Sequence, residues 1–268
     1  MRCIFCKNDS AGSRSREHII PESLGNTKAV LPAGVVCDRC NNYFSREVER
    51  PFLESSALNQ LRFHQAIPSK RGRIPPSPAL WASEIPVTVC RYLDGPLVGS
   101  VFVDDPKDLP HILSSKESLL LFPGPGGPPN DFVVSRFLAK VAIEALADRF
   151  MRFPEPGGLD YLVDDKQFDP IRRHAREGSP RVWPYNARRI YDVDRPVMGK
   201  DGRTEQTVWE YDFFYTAAQE AYFVLALFGL ELAINIGGPE IRGFLLWLEE
   251  NKGTSPLYTG RNLLVTGS

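Results

Sequence analysis

The sequence has neither an excess of charge of one sign nor a long hydrophobic run. Among its 268 residues, 32 Lys and Arg stand against 33 Asp and Glu, so the net charge is −1. The overall charge therefore gives no sign of a polyanionic partner. The most apolar window, residues 222–236, contains Glu231 and is shorter than the ~20 residues that a membrane-spanning helix needs. We expect no membrane partner.

Cysteine and histidine are scarce, with five and four residues. The N-terminus has no apolar core of the kind that a secretion signal carries, so we expect a cytoplasmic protein whose thiols stay reduced. Four cysteines form two C-x-x-C pairs, Cys3 with Cys6 and Cys37 with Cys40. Thiolates at this spacing are typical ligands of Zn²⁺ in a closed tetrahedral site. Disulfide bonding of the pairs is the alternative, and the expected compartment argues against it.

The charge is unevenly distributed along the chain. Residues 1–73 carry 12 Lys and Arg against 7 Asp and Glu, a net charge of +5, which leaves −6 for the remainder. A basic module joined to an acidic one is typical of a nucleic-acid-binding head attached to a body with another role.

Residues with hard ligand atoms lie between and beside the cysteine pairs. Glu17 and His18 occur in the segment between the pairs, and Asn41 directly follows Cys40. A zinc ion bound by both pairs would bring these residues together. Carboxylate and amide oxygens suit Mg²⁺, and a neutral imidazole beside them can accept a proton from water. The first sixty residues therefore predict one soft structural metal and one hard catalytic metal.

The order Cys-x2-Cys, Glu-His-Ile-Ile-Pro over residues 17–21, then Cys-x2-Cys-Asn resembles the HNH endonuclease family in its four-cysteine zinc form. The resemblance covers about residues 1–60. It implies a ββα-metal fold, also called a His-Me finger, and a DNA partner whose phosphodiester bonds are hydrolysed. It further implies structural Zn²⁺ and catalytic Mg²⁺ or Mn²⁺ as cofactors.

The resemblance also implies a role for each site residue. His18 matches the general base that activates water, and Glu17 and Asn41 match the ligands of the catalytic ion. The four cysteines of the two pairs match the zinc ligands. Two features depart from the family: Glu17 stands where Asp is more common, and the middle Asn of many members has no counterpart in residues 31–36.

Four arginines are candidate nucleic-acid-binding residues. Arg14 and Arg16 lie just before Glu17, and Arg39 and Arg46 lie near the start of the helix expected after the second cysteine pair. A guanidinium group matches phosphate in a bidentate way, so we predict contact with the substrate backbone. The alternative for each is an ordinary solvated arginine.

The chain as a whole predicts an α+β fold in two domains. Residues 1–65 form the zinc-stapled nuclease domain, and residues 66–80, rich in proline and positive charge, form a linker. Residues 81–268 form a larger accessory domain with antiparallel strands and at least two amphipathic helices. Its role is recognition, sensing or oligomerisation.

Within the accessory domain, apolar spacing predicts helices over residues 132–150 and from Pro239 to near Gly253. The apolar stretch around Gly229 predicts a buried hairpin, with a helix as the alternative. Two further turns are predicted between strand candidates. They are Asp94-Gly95, between residues 87–92 and 97–103, and Lys200-Asp201-Gly202, between residues 189–193 and 208–215.

The sequence thus predicts a metal-dependent HNH endonuclease acting on DNA, as the effector of an antiphage defence or restriction system. One finger offers one active site, so a double-strand break requires a dimer or two visits. A second copy or a partner protein is the candidate partner of the accessory domain. The alternative function is a non-catalytic zinc finger that docks on nucleic acid or on a protein.

Overall fold

A computed structural model describes residues 1–69, 71–94, 97–116, 119–124, 129–152, 158–193, 195–198 and 204–261, without the side chains of 196–198, 204–206 and 260–261. The described residues contain both helices and strands, and the strands pair into antiparallel sheets, which confirms the predicted α+β class. None of the helices in these ranges combines the length and apolar character that crossing a membrane requires. Lys70, Gly95 and the predicted turn at residues 200–202 lie outside the described residues.

The strands are β1 Glu17–His18, β2 Val30–Leu31, β3 Ser77–Trp81, β4 Ile85–Arg91, β5 Gly99–Val103, β6 Leu120–Leu121, β7 Tyr185–Arg189, β8 Pro196–Met198, β9 Thr204–Gln206, β10 Trp209–Tyr215, β11 Ala221–Leu227 and β12 Leu230–Asn235. The α-helices are α1 Asp38–Phe44, α2 Arg50–Leu53, α3 Ser56–His64, α4 Leu109–Ser114, α5 Asp131–Arg152, α6 Gly158–Asp164, α7 Asp169–Glu177, α8 Arg242–Glu250 and α9 Tyr258–Arg261. A π-helical turn, Ser45–Glu49, follows α1.

The chain divides into two compact units. The first unit contains Met1–Ile20, Lys28–Glu49 and Asp131–Ser268, and the second contains Pro21–Thr27 and Arg50–Asn130. Both cysteine pairs and the Glu-His step thus share a unit with the C-terminal half of the chain. The boundaries expected at residues 65 and 80 both fall within the second unit.

The N-terminal part of the first unit has a ββα arrangement. Strands β1 and β2 pair antiparallel, with Glu17 opposite Leu31 and His18 opposite Val30. Helix α1 begins at the second cysteine pair, where Cys37 is the N-cap residue and its side chain accepts a hydrogen bond from the Cys40 amide. The two short strands and the helix agree with the finger that the sequence predicts.

Helix α5 is the central element of the first unit. All residues from Phe137 to Ala147 are buried, and the helix contacts β11 and β12 of a four-stranded sheet with the order β10-β11-β12-β7. It also packs against α6, α7, β2 and the π-helical turn. The sequence predicts this helix correctly but indicates a single apolar stripe. The helix is buried on every side because elements from both ends of the chain cover it.

The hairpin of β11 and β12 confirms the first of the two alternatives for that apolar stretch. Phe228 and Gly229 form its two-residue turn, with φ of 49° and 78°. Positive φ at both positions is the type I′ geometry that matches the twist of paired strands. Strand β11 is buried from Tyr222 to Leu227, so both of its faces are covered and the sequence shows no alternation.

The second unit contains an antiparallel sheet with the order β5-β4-β3-β6. Strands β4 and β5 confirm the strand pair predicted on either side of Asp94-Gly95, with Val87 opposite Val103 and Arg91 opposite Gly99. A small core forms between this sheet and the end of α3. Its buried residues are Phe63, Ile74, Ala79, Val87 and Val89.

Gly229→Ala should destabilise the first unit. Its φ of 78° is costly for any residue with a Cβ, and that Cβ would overlap the carbonyl oxygen of Tyr191. We expect a loss of at least about 1 kcal/mol of unfolding free energy, measured by urea denaturation. Gly238→Ala is the control, because its Cβ would meet nothing within 4 Å. Equal midpoints for the two variants would contradict this account of the turn.

Candidate metal centres and active site

The four paired cysteines converge on one point. Their Sγ atoms all lie within 4.8 Å of one another, and the Sγ atoms of Cys6 and Cys37 are 3.6 Å apart. Tetrahedral Zn²⁺ with Zn–S bonds of about 2.3 Å requires sulfur separations of about 3.8 Å. Cys3 and Cys40 are buried, and the other two are half-buried. The cluster fits a closed structural zinc site.

The electrostatics of the cluster also favour a bound cation. A hydrogen bond from the Cys40 side chain is the main reason why the pKa of Cys3 falls to about 4. The same interaction, followed by burial and the charge of the Cys3 thiolate, raises the pKa of Cys40. One thiolate therefore suppresses ionisation of its neighbour, and a divalent cation at the centre would allow all four to ionise.

Helix α7 stabilises the first cysteine pair from outside. The buried Arg172 side chain donates to the backbone oxygens of Ile4 and Leu162, each at 2.6 Å. The pKa of Arg176 is raised overall. Burial lowers it, but a hydrogen bond to the Cys40 side chain and the charges of Cys40 and Cys6 outweigh that effect. Positive charge next to four thiolates offsets the negative charge that would remain after one Zn²⁺ has bound.

Asn41 connects α1 to the segment that leads into β1. Its Nδ2 donates to the backbone oxygen of Arg16 at 3.3 Å, one residue before Glu17. Asp38 adds a second connection, because its carboxylate accepts hydrogen bonds from the backbone amides of Arg14 and Ser15. The amide predicted as a metal ligand thus contacts the backbone of the residue that directly precedes the Glu-His step.

The Glu-His step itself is divided between two environments. Successive side chains of a strand point to opposite faces, and on β1 the Glu17 side chain is buried whereas His18 is half-buried. The Ile19 amide donates to the Ala29 oxygen at 3.0 Å, which extends the short ladder by one bond.

Glu17 belongs to a buried ion cluster that the sequence does not predict. The Nζ of Lys140 on α5 lies 2.7 Å from Glu17 Oε1, 2.5 Å from Glu49 Oε1 and 2.9 Å from Glu144 Oε2. Lys140 and Glu144 are fully buried. Burial lowers the pKa of Lys140, but the three carboxylates together raise it well above its usual value. The ammonium therefore stays charged.

Burial raises the pKa of Glu144 well above its usual value, and the charges of Glu17 and Glu49 contribute while Lys140 opposes the rise.

The candidate arginines separate into two groups. Arg14 and Arg16 are exposed and adjoin the site through the contacts described above. Arg39 and Arg46 line a cleft with Tyr43 of α1 and with Arg176 and Glu177 of α7. Asn41 lies two residues after Arg39, about 200° around the helix, so it belongs to the other side of α1.

Lys140 and the arginines of α7 were missed because they are distant in sequence from the motif, and Glu49 was missed because nothing in its local spacing marks it as part of a buried cluster. The sequence contains one indication that Lys140 is part of a buried cluster. Lys140 and Glu144 stand at helical spacing inside an otherwise apolar helix, and charged residues are almost never fully buried unless they are paired. The sequence alone does not reveal which distant carboxylates complete the pairing.

Cys37→Ser should remove zinc and unfold the N-terminal part of the first unit, because the binding energy of a structural zinc is folding energy. Zinc content by elemental analysis should fall from one ion per chain to near zero, and the thermal unfolding midpoint should drop. Cys90→Ser is the matched control, since Cys90 lies on β4 outside the cluster. Retention of zinc by the Cys37 variant would contradict the assigned site.

Comparison with protein families matches residues 3–56 to the family described as HNH endonuclease. The matched range includes both cysteine pairs, the Glu-His step and Asn41. No match was found in a search of curated proteins or in a search of solved structures. The convergent cysteines and the ββα arrangement agree with this match, so residues 3–56 are similar to the HNH endonuclease family in sequence and in the geometry of the cysteine cluster.

Proposed function

We propose that this protein is a metal-dependent endonuclease that hydrolyses phosphodiester bonds of DNA. The observation that carries the proposal is the hydrogen bond from Asn41 to the backbone of Arg16. It joins the start of α1 to the Glu-His step inside the range that matches the HNH endonuclease family. An amide, a carboxylate and an imidazole at one short strand and one helix start are the groups that metal-assisted hydrolysis needs.

In the proposed mechanism, His18 accepts a proton from the attacking water. Glu17 and Asn41 would hold the catalytic Mg²⁺ or Mn²⁺, and such an ion would supply stabilisation of the negative charge that develops on the phosphate and on the leaving oxygen. The zinc site supplies no chemistry; its four cysteines fix the distance between α1 and β1.

The ion pair between Glu17 and Lys140 must be compatible with this role. At about 4 Å, a unit positive charge repels a divalent cation by roughly 8 kcal/mol at an effective dielectric constant of about 20, so an isolated lysine would oppose a metal ion. Glu49 lies 2.5 Å from the same ammonium and offsets its charge. A carboxylate has two oxygens with about four lone-pair sites, so Glu17 can pair with Lys140 and bind a metal ion at the same time.

The exposed arginines are assigned to the substrate backbone. Arg14 and Arg16 adjoin the Glu-His step and would contact the phosphates next to the cleaved bond. Arg39, on the other side of α1 from Asn41, and Arg46, in the π-helical turn after α1, would contact phosphates farther along the duplex. Phosphate contacts of this kind fix register and carry no sequence information.

We extend the proposal to a role as the effector of an antiphage defence or restriction system in the cytoplasm. The support is the large share of the chain outside the nuclease motif, which suits cutting that is triggered by a partner protein or by dimerisation. Comparing plasmid cleavage by the purified protein alone and after addition of phage-infected extract tests this extension. Equal activity in both conditions would contradict a triggered effector.

The second candidate function is a non-catalytic zinc module that docks on nucleic acid or protein. The observation that favours it is the Lys140 ammonium, which already provides a cation for Glu17. The two candidates differ in whether a divalent ion is required and in whether the polymer is cut.

His18→Ala should abolish plasmid nicking, with a rate loss of about 10²–10⁴-fold as expected for removal of a general base. Zinc content and DNA affinity should stay near those of the wild type, because the His18 side chain is not part of the cysteine cluster. His111→Ala is the matched control, since His111 is exposed on α4 of the second unit. Residual cutting by the His18 variant at the rate of the control would refute the assignment.

Removal of divalent ions should stop cleavage, and added Mg²⁺ or Mn²⁺ should restore it. The assay uses supercoiled, linear and single-stranded DNA and RNA, with zinc content measured after each EDTA step, so that loss of catalytic metal is separated from loss of structural zinc. Binding of any of these polymers without cleavage under every ion condition would support the docking module instead.

A further inference from the structure

Lys140 has more partners than its burial requires. A buried ammonium is costly unless it is paired, and Glu144, one helical turn away on α5, already provides a carboxylate 2.9 Å from Nζ. Two more carboxylates, Glu17 and Glu49, nevertheless point at the same nitrogen. Both come from the segment that matches the HNH endonuclease family.

The hydrogen bonds of Lys140 are directed at that segment. An ammonium has three donors, and three acceptors outside α5 lie within reach of Nζ. They are Glu17 Oε1 at 2.7 Å, Glu49 Oε1 at 2.5 Å and the backbone oxygen of His18 at 3.4 Å. Glu144 accepts no hydrogen bond with good geometry from the described residues.

The strand that receives these bonds is short, because β1 has two residues and pairs with two residues of β2. Lys140 contacts the side chain of its first residue and the backbone of its second, and Glu49 joins the end of the π-helical turn to the same nitrogen. These contacts fix the side-chain conformation of Glu17 and the position of the His18 backbone together.

We propose that Lys140 is a positioning residue of the nuclease site, which holds the Glu17 carboxylate and the His18 backbone so that Glu17 presents an oxygen to the catalytic divalent ion. This inference rests on the proposed function. It assigns to α5, outside the range that matches the family, a direct role in metal affinity. Lys140 itself touches neither the substrate nor the reacting atoms.

The test measures Mn²⁺ binding to the full-length, zinc-loaded protein by calorimetry or electron paramagnetic resonance, without substrate. Lys140→Met removes the ammonium at similar side-chain volume. We expect its Mn²⁺ dissociation constant to rise at least tenfold, and its half-saturating Mg²⁺ concentration in plasmid nicking to rise in parallel. Excess Mn²⁺ should restore much of the nicking rate, because His18 is still present.

Glu231→Gln is the matched control. It breaks another ion pair of the first unit, between Glu231 and Arg188 on neighbouring strands β12 and β7. It therefore controls for the loss of stability that follows the removal of any such ion pair. Its Mn²⁺ affinity should stay within twofold of the wild type. If Lys140→Met does not retain zinc and a cooperative thermal transition, Lys140→Met with Glu144→Gln replaces it, because this pair of changes also neutralises the buried partner on α5.

The outcomes distinguish a failure of the proposed function from a failure of the inference alone. A wild-type protein that binds no Mn²⁺ beyond its zinc and cuts no polymer overturns the proposed function, and the inference with it. A wild type that binds and cuts, combined with Lys140 variants of unchanged Mn²⁺ affinity, overturns the inference alone. Tighter Mn²⁺ binding by those variants also overturns it, since the ammonium would then oppose the ion.

Discussion

Four sulfur atoms within 4.8 Å of one another can all carry negative charge only around a cation, and the N-terminal part of this structure depends on that constraint. The cysteines come from two segments that are about thirty residues apart in the chain. A cation that binds all four holds the start of α1 against the segment leading into β1. The Asn41 contact to Arg16 and the Asp38 contacts to Arg14 and Ser15 follow from this proximity.

The second constraint is the burial of α5. A helix covered on all sides needs partners for any charge that it carries, and Lys140 obtains these partners largely from the residues around the Glu-His step. The nuclease motif and the C-terminal half of the chain therefore share one unit. Arg172 on α7 also connects the motif to the C-terminal half of the chain, since it donates to the backbone oxygen of Ile4, the residue after Cys3. The motif is built into the fold of this unit.

The same cluster bears on the two candidate functions. A lysine that pairs with the carboxylate of Glu17 is consistent with a docking module that binds no catalytic metal. The same ammonium is shared with Glu49, and under the nuclease proposal this sharing would leave Glu17 able to bind a divalent ion as well.

Much of the site could be predicted from the sequence because its signals are local. The spacing of the two cysteine pairs, the Glu-His step and the Asn after Cys40 indicate the zinc cluster, the short strands and the helix start. The hairpin at Gly229 and the long helix α5 are also local patterns. Tertiary structure decided what lies next to Glu17, that Arg39 and Arg46 line a cleft with residues of α7, and how the chain divides into units. These properties depend on which distant elements cover a buried helix and supply its charges with partners, and no short-range pattern in a sequence records that pairing.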